Sequence, residues 1–217
     1  MTFRWLAALL LLGPSSMALA DGQAIALKAG ALGIGVEYTY ELTDRIALRG
    51  GLNGSSLGFN DERSGIAYDF NWVWDSLTVT FDFHPLKSAF RVSGGFLRND
   101  NRLDAVSTPA GDIQVGNTTY TPAEVGTLSG RISFARTSPF VGVGWDWSRK
   151  RRRHFGMSLD LGVLDQGSPR VSLEGSGTLL GDPAFESDIA AERADLANSL
   201  SDFDTLPYLN VGFVFRF

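Results

Sequence analysis

The chain of 217 residues contains no cysteine, which excludes a disulfide framework and any thiolate-ligated zinc or iron–sulfur site. Histidine is nearly as scarce. Only His84 and His154 are present, so a histidine-built metal centre has little to draw on. Basic charge is not in excess either: 19 Lys and Arg against 24 Asp and Glu give a formal charge of −5, which argues against a nucleic-acid binder. Past the N-terminus no apolar run is long enough for a membrane helix. Yet 44% of the residues are apolar and 15 Phe, 5 Tyr and 5 Trp are among them, too many for a disordered chain. One domain is expected at this length.

Residues 1–20 have the build of an export signal: Arg4, an apolar stretch over 5–12, a Gly13-Pro14 break and the small residues Ala18-Leu19-Ala20. The apolar stretch is far short of the roughly 20 residues of a spanning anchor. Cleavage after Ala20 is expected, leaving 21–217 as the mature domain.

The mature part alternates with a period of two. Leu209, Val211, Phe213, Phe215 and Phe217 are large and apolar, whereas Asn210, Gly212, Val214 and Arg216 fall between them. The pattern recurs at Leu32 to Tyr40, Ile46 to Leu52, Leu77 to Phe83, Phe90 to Phe96, Leu128 to Phe134, Val141 to Trp147 and Phe155 to Val163. A secreted soluble β-sandwich also alternates, but its second face meets water and carries Lys and Glu. Here that face is mostly Gly, Ser, Thr and Ala, which suits the narrow lumen of a barrel. Aromatic residues stand at three short turns: Tyr38 and Tyr40 before 42–44, Phe81, Phe83 and Phe90 around 84–89, and Trp145, Trp147 and Phe155 around 148–154. Aromatics at that level form an interfacial girdle. The fold class expected is an antiparallel transmembrane β-barrel. Its lumen face would carry Arg45, Arg49, Arg91, Arg131 and Arg216 beside Glu37, Asp82, Asp146 and Asp160, charges that pair inside a narrow barrel rather than line a wide pore.

The last strand, Tyr208-Leu-Asn-Val-Gly-Phe-Val-Phe-Arg-Phe217, resembles the terminal signal of bacterial outer-membrane proteins. That resemblance implies that Tyr208, Leu209, Val211, Phe213, Phe215 and Phe217 are read by the barrel-assembly machinery. With turns such as Glu41-Leu-Thr-Asp-Arg45 and segments such as Pro139-Phe-Val-Gly-Val-Gly-Trp145, nearly the whole mature chain resembles the small outer-membrane β-barrel families of the eight-stranded type. The resemblance implies a monomer in the outer membrane, among its lipid and lipopolysaccharide. Those families include adhesins, stress-related barrels, narrow channels and a few lipid-modifying enzymes.

Longer connections are expected over 53–65 and 104–126, both rich in Gly, Asn, Ser, Thr and Asp, the second with a hairpin over 112–120 turning at Gly116-Asn117. The outward parity switches between Trp74 and Leu77 and again between Phe134 and Val141, which predicts bulges or bends. Counting strands brings two rules into conflict. If the aromatic-flanked turns lie with Phe217 on the periplasmic side, a strand must precede the one ending at Tyr40, and 23–29 is a poor candidate. A tight turn at 136–138 gives eight strands but puts the long loops on the periplasmic side. An even strand number takes precedence, so eight strands are expected, with ten as the alternative.

Within 181–205 the spacing predicts a helix over 183–203, with Asp182 as N-cap, Pro183 at the first position and an apolar stripe of Phe185, Ile189, Leu196, Leu200 and Phe203. The stripe is expected to pack at the barrel mouth. The opposite face is acidic, which suits divalent cations or basic partners, although no calcium-loop spacing is present.

A search for catalytic groups returns little. Neither histidine has a serine two residues later, and Asp82 with His84 is a lone pair on one strand face. No catalytic residue, metal site or cofactor is assigned. The basic run Arg149-Lys-Arg-Arg-Arg153 could meet lipopolysaccharide phosphates or periplasmic polyanions, or be a solvated turn. The function expected is surface interaction through the loops, with a narrow solute channel or a lipid-modifying enzyme as alternatives.

Overall fold

The computed structural model describes residues 22–63, 66–149 and 154–217. The expected signal segment and its cleavage point lie outside the described residues. Eight strands close into an antiparallel barrel: β1 (Gln23–Gly30), β2 (Gly33–Thr43), β3 (Ile46–Arg63), β4 (Ile66–Phe83), β5 (Phe90–Asn99), β10 (Thr137–Asp146), β11 (Phe155–Asp165) and β13 (Thr205–Arg216). Closure is made by β1 against β13, with Ala24 opposite Arg216 and Gly30 opposite Asn210.

The segment 23–29, a poor candidate by its contrast, is therefore the first strand. Its weak signal has a steric cause. Ala24 and Ala26 point inward and are buried with Val214, so the lower half of the inner face, below Lys28, carries no large residue to contrast with Ile25 and Leu27 outside. This strand also resolves the conflict of rules. The described ends of the chain, the turns at 44–45 and 84–89, the end of β10 and the start of β11 share one end, the terminus end, and both long connections leave from the other, the loop end. No tight turn forms at 136–138, since β10 begins at Thr137.

Outward positions hold Ile25, Leu27, Ile34, Leu48, Val79, Phe81, Val141, Met157, Val211 and Phe213, all exposed. In water each would be unfavourable by about 1.5–3 kcal/mol. A belt of them around a closed barrel is what lipid covers, and a soluble sandwich is excluded by it.

The strands β3 and β4 run on past the barrel. The segment 53–65, expected as a loop, is mostly strand, with β3 and β4 in unbroken register from Ile46 opposite Phe83 to Arg63 opposite Ile66. Up to Ser76, β4 pairs with β5, and beyond it, from Val73 to Ile66, with β6 (Arg102–Pro109). The strands β9 (Leu128–Ser133) and β12 (Arg170–Gly175) follow, so the order β3-β4-β6-β9-β12 makes a sheet above the barrel. The parity switch at Trp74 to Leu77 is no bulge. Side chains keep alternating, and Trp72 and Trp74 lie on the inner face because the outer face passes from lipid to water there. The second switch falls between two strands, β9 and β10.

The remaining pieces sit against this sheet. The expected hairpin is present as β7 (Ile113–Val115) and β8 (Thr118–Tyr120), with Gly116 at φ 58°, a left-handed position that favours glycine. It is followed by the single turn α1 (Pro122–Val125). Helix α2 (Pro183–Ser199) is capped by Asp182, whose carboxylate accepts from the backbone N–H of Ala184 and Phe185. Phe185 and Ile189 are buried with Ile113, Val115, Tyr120 and Val125, against Leu128 and Leu173 of the sheet. The rest of the stripe differs from expectation. Leu200 is half-buried, and Leu196 and Phe203 stay 38% and 59% exposed. The helix ends at Ser199, and a 3-10 turn over Ser201–Asp204 returns the chain to the rim, where Gln166 donates to the Phe203 carbonyl at 2.9 Å. Phe185→Ala is accordingly expected to destabilise the loop-end unit by about 3–5 kcal/mol, and Leu196→Ala by less than about 0.5 kcal/mol. Limited proteolysis on folded protein checks this: cleavage near α2 should speed up in the first variant only.

Candidate functional site

Inside the barrel the inward residues form three layers. Lowest, at the terminus end, Arg216 pairs with Glu41 and, at 2.7 Å, with Asp146, while Ser148 donates to Asp146 at 2.6 Å. Arg149 lies 3.5 Å from Glu41 and donates to the Asp44 carbonyl. The other four residues of the basic run, 150–153, lie outside the described residues.

The middle layer is a closed set of opposite charges. Lys28 reaches Glu37 at 2.7 Å and Asp160 at 2.6 Å. Arg49 reaches Asp82 at 2.6 Å, Glu37 at 3.1 Å and Asp160 at 3.4 Å. Arg91 pairs with Asp160 at 2.6 Å, and Ser93 donates to Asp82 at 2.6 Å. Three cations therefore face three carboxylates, all buried. The small inward residues between them leave room for the long side chains.

Above lies an apolar layer of Leu32, Leu97, Phe140 and Leu164, with Leu206 and Tyr208 packed on it. Leu32 belongs to the tight turn between β1 and β2 and points inward, not to the outward face of β2. The Phe140 and Tyr208 rings lie 4.7 Å apart. Phe140 can cross the lumen because Gly142 and Gly162 stand opposite each other beneath it: a Cβ at either would lie 2.8 or 2.7 Å from its ring. A cavity of about 10 Å³ lies beside Leu32, Leu97, Phe140, Leu164 and Tyr208, room for about one water.

The expected lumen set thus divides. Glu37, Arg49, Asp82, Arg91, Asp146, Asp160 and Arg216 are brought together inside, whereas Arg45 and Arg131 are not. Arg45 sits exposed in the β2–β3 turn, and Arg131 is on the outer face of β9, 2.5 Å from Asp104, above the barrel. Arg131 has inward-looking alternation, but it lies where the outer face meets water. Lys28, Glu41 and Arg149 were missed. Lys28 and Glu41 continue the inward parity of β1 and β2 and become legible once 23–30 is accepted as a strand, while Arg149 folds back from a turn and has no local signal.

Of the terminal residues, Leu209, Val211, Phe213 and Phe215 point outward and exposed, Phe217 is half-buried beyond the strand, and Tyr208 turns into the lumen. The histidines hold backbone. His84 Nδ1 lies 3.1 Å from the Phe90 carbonyl and 3.3 Å from that of Ser88. Burial, reinforced by Arg149, pushes its pKa down to about 4, so the ring is neutral at physiological pH. Asp82 is taken up by Arg49, Arg91 and Ser93 rather than by His84. His154 Nδ1 lies 3.2 Å from the Arg216 carbonyl.

At the loop end the sheet is two-faced. Its outer face carries ion pairs such as Arg102 with Asp104 at 3.0 Å. Its inner face carries Leu57, Phe59, Tyr68, Phe70, Trp72 and Trp74, with Phe59 stacked on Phe70 at 5.0 Å and Trp72 on Trp74 at 5.4 Å. On the neighbouring strands that face is covered by α2 and the β7–β8 hairpin, where Tyr120 donates to Asp188 at 2.7 Å. Hydrogen bonds from Thr118 and Tyr120 hold the Asp188 carboxyl below the usual carboxylate range.

The closed eight-stranded barrel is also the fold of two solved structures. CarO2 of Acinetobacter baumannii is 18% identical, with a TM-score of 0.60 over 91% of this chain and 100% of its own. CarO of the same organism is 22% identical, with a TM-score of 0.60 over 92% of this chain and 99% of its own. Both are outer-membrane barrels. The likeness is one of fold. No family model and no curated protein matches the chain.

Proposed function

We propose that the chain is an integral outer-membrane protein, inserted as a monomer with its loop end facing outward, that acts by interaction at the cell surface rather than by conduction or catalysis. The observation that carries this reading is the filled lumen: balanced buried charges closed by an apolar layer that lines a cavity of about 10 Å³. The loop end, by contrast, holds a built sheet with an exposed apolar face, and recognition residues commonly sit on such rigidly supported segments. The alternating outward face of β13 supports insertion through the assembly machinery, with lipid and lipopolysaccharide as its surroundings.

Purified protein in planar bilayers is expected to give no steady single-channel current, and steady, large currents would favour the channel reading. Replacing His84 and His154 together by Ala is expected to leave the lipid A and phospholipid profiles of the membranes unchanged. A changed profile would put lipid modification in front. Release of the protein into the soluble fraction on lysis would defeat the membrane assignment itself.

A further inference from the structure

Above the barrel β3 has a partner on one side only. Pairing with β2 ends just past Gly35 opposite Asn53, because β2 begins at Gly33 directly after the tight β1–β2 turn. Yet β3 continues to Arg63 with β4 alone beside it. Among the described residues no other strand pairs with residues 56–63.

The open backbone groups can be named. The N–H of His84 donates to the Arg45 carbonyl at 2.7 Å, so β3 residues of odd number exchange hydrogen bonds with β4. Even-numbered residues turn the other way, to β2 as far as Gly54, which stands opposite Ile34 in the same register, and above it to the open side. Ser56, Gly58, Asn60 and Glu62 therefore present their N–H and C=O groups along the free edge. Edge strands are ordinarily blunted by Pro, charged side chains or a bulge. Residues 54–60, Gly-Ser-Ser-Leu-Gly-Phe-Asn, contain no Pro and no charge, the acids Asp61 and Glu62 standing only at the far end, and their register with β4 is unbroken.

The face beside that edge is apolar and uncovered. Leu57 is 57% exposed, Phe59 46% and Trp72 42%. On the opposite face the edge offers bare backbone at Gly58, where an added Cβ would meet only a carbonyl oxygen at 3.8 Å, and an acid at Glu62.

We propose that this edge takes up an extended polypeptide segment of another protein by strand addition. The segment runs antiparallel to β3, lays apolar side chains beside Leu57 and Phe59, sets a bulky residue opposite Gly58, and carries Lys or Arg opposite Glu62. A lipid chain offers no donors or acceptors to the edge. A second copy in the same membrane presents a β3 that runs in the same direction with its faces reversed, so it cannot continue the sheet. The inference rests on the surface-interaction reading above and names the class of partner and its mode of binding.

The probe is a labelled peptide, Lys-Thr-Thr-Phe-Tyr-Val-Thr-Val-Tyr, titrated by fluorescence anisotropy against the full chain in detergent micelles. Its twin is N-methylated at positions 3, 5 and 7, whose amides face the edge, and is no less hydrophobic. The parent is expected to bind and the twin to bind about tenfold more weakly or worse. Ser56→Pro and Asn60→Pro, which remove edge donors while sparing the β4 ladder, are expected to weaken the parent to the same degree. Failure of the parent to bind, equal binding of parent and twin, or indifference to both proline variants would overturn the proposal. Should the proline variants lose the heat-shifted gel migration of a folded barrel, the comparison of parent with twin on the unaltered protein decides alone. Protease on intact cells, cutting at 60–65, tests the orientation separately: binding in micelles without cutting on cells counts against the outward loop end, and cutting without binding counts against strand addition.

Discussion

Asp160→Leu is expected to cost the barrel about 3–5 kcal/mol of folding stability, because removing one member of a buried charge set leaves the others uncompensated. Asp160 is the shared acceptor of Lys28 and Arg91, both at 2.6 Å, and lies 3.4 Å from Arg49. The apolar layer above closes this set off on the loop-end side, so the excess positive charge cannot be hydrated from there. Urea titration in micelles, followed by tryptophan fluorescence, measures the loss. Removing a cation with the acid, as in Lys28→Met combined with Asp160→Leu, restores neutrality and should cost less than the two single changes added together. Arg131→Met is the control, since Arg131 is an outer-face residue with a 57% exposed side chain, and its cost should stay within about 0.5 kcal/mol. Equal losses for Asp160→Leu and Arg131→Met would mean that the lumen is wet and its charges are not coupled.

Phe140→Ala should be comparably costly, about 3–5 kcal/mol, because the ring spans a space its neighbours cannot refill. Gly142 and Gly162 lie beneath it with no side chains, and Leu32, Leu97 and Leu164 are already buried around it. Gly142→Val is expected to destabilise by more than about 1–3 kcal/mol, since a Cβ there meets the Leu161 carbonyl oxygen as well as the Phe140 ring at 2.8 Å. Phe140→Ala relieves only the ring contact, so the double variant should cost less than the two single losses added together. Additive costs would show that ring and glycine do not share one space.

The barrel was legible in local alternation alone. Alternation along β13, β11, β10 and the lower half of β4 is a local property, since each outward side chain meets lipid and each inward one a crowded lumen, so residue size and polarity record the face. The acid at 182 and the proline at 183 likewise announced α2, because capping depends only on neighbours in the chain. Tertiary structure decided the rest. β1 was obscured because both faces of its lower half carry little contrast, the alanines being small where long arms from other strands fill the lumen. The apolar stripe of α2 was legible in full but is buried only at Phe185 and Ile189, since where a helix leaves a sheet depends on where the next strand must begin. Which charges share the interior also followed from height rather than parity. Arg49 and Arg131 occupy equivalent positions in their local alternation, yet one meets Asp82 in the dry lumen and the other meets water beside Asp104. A strand records that its two faces differ, but only pairing with its neighbours fixes how far each residue stands from the membrane, and so which face is the apolar one.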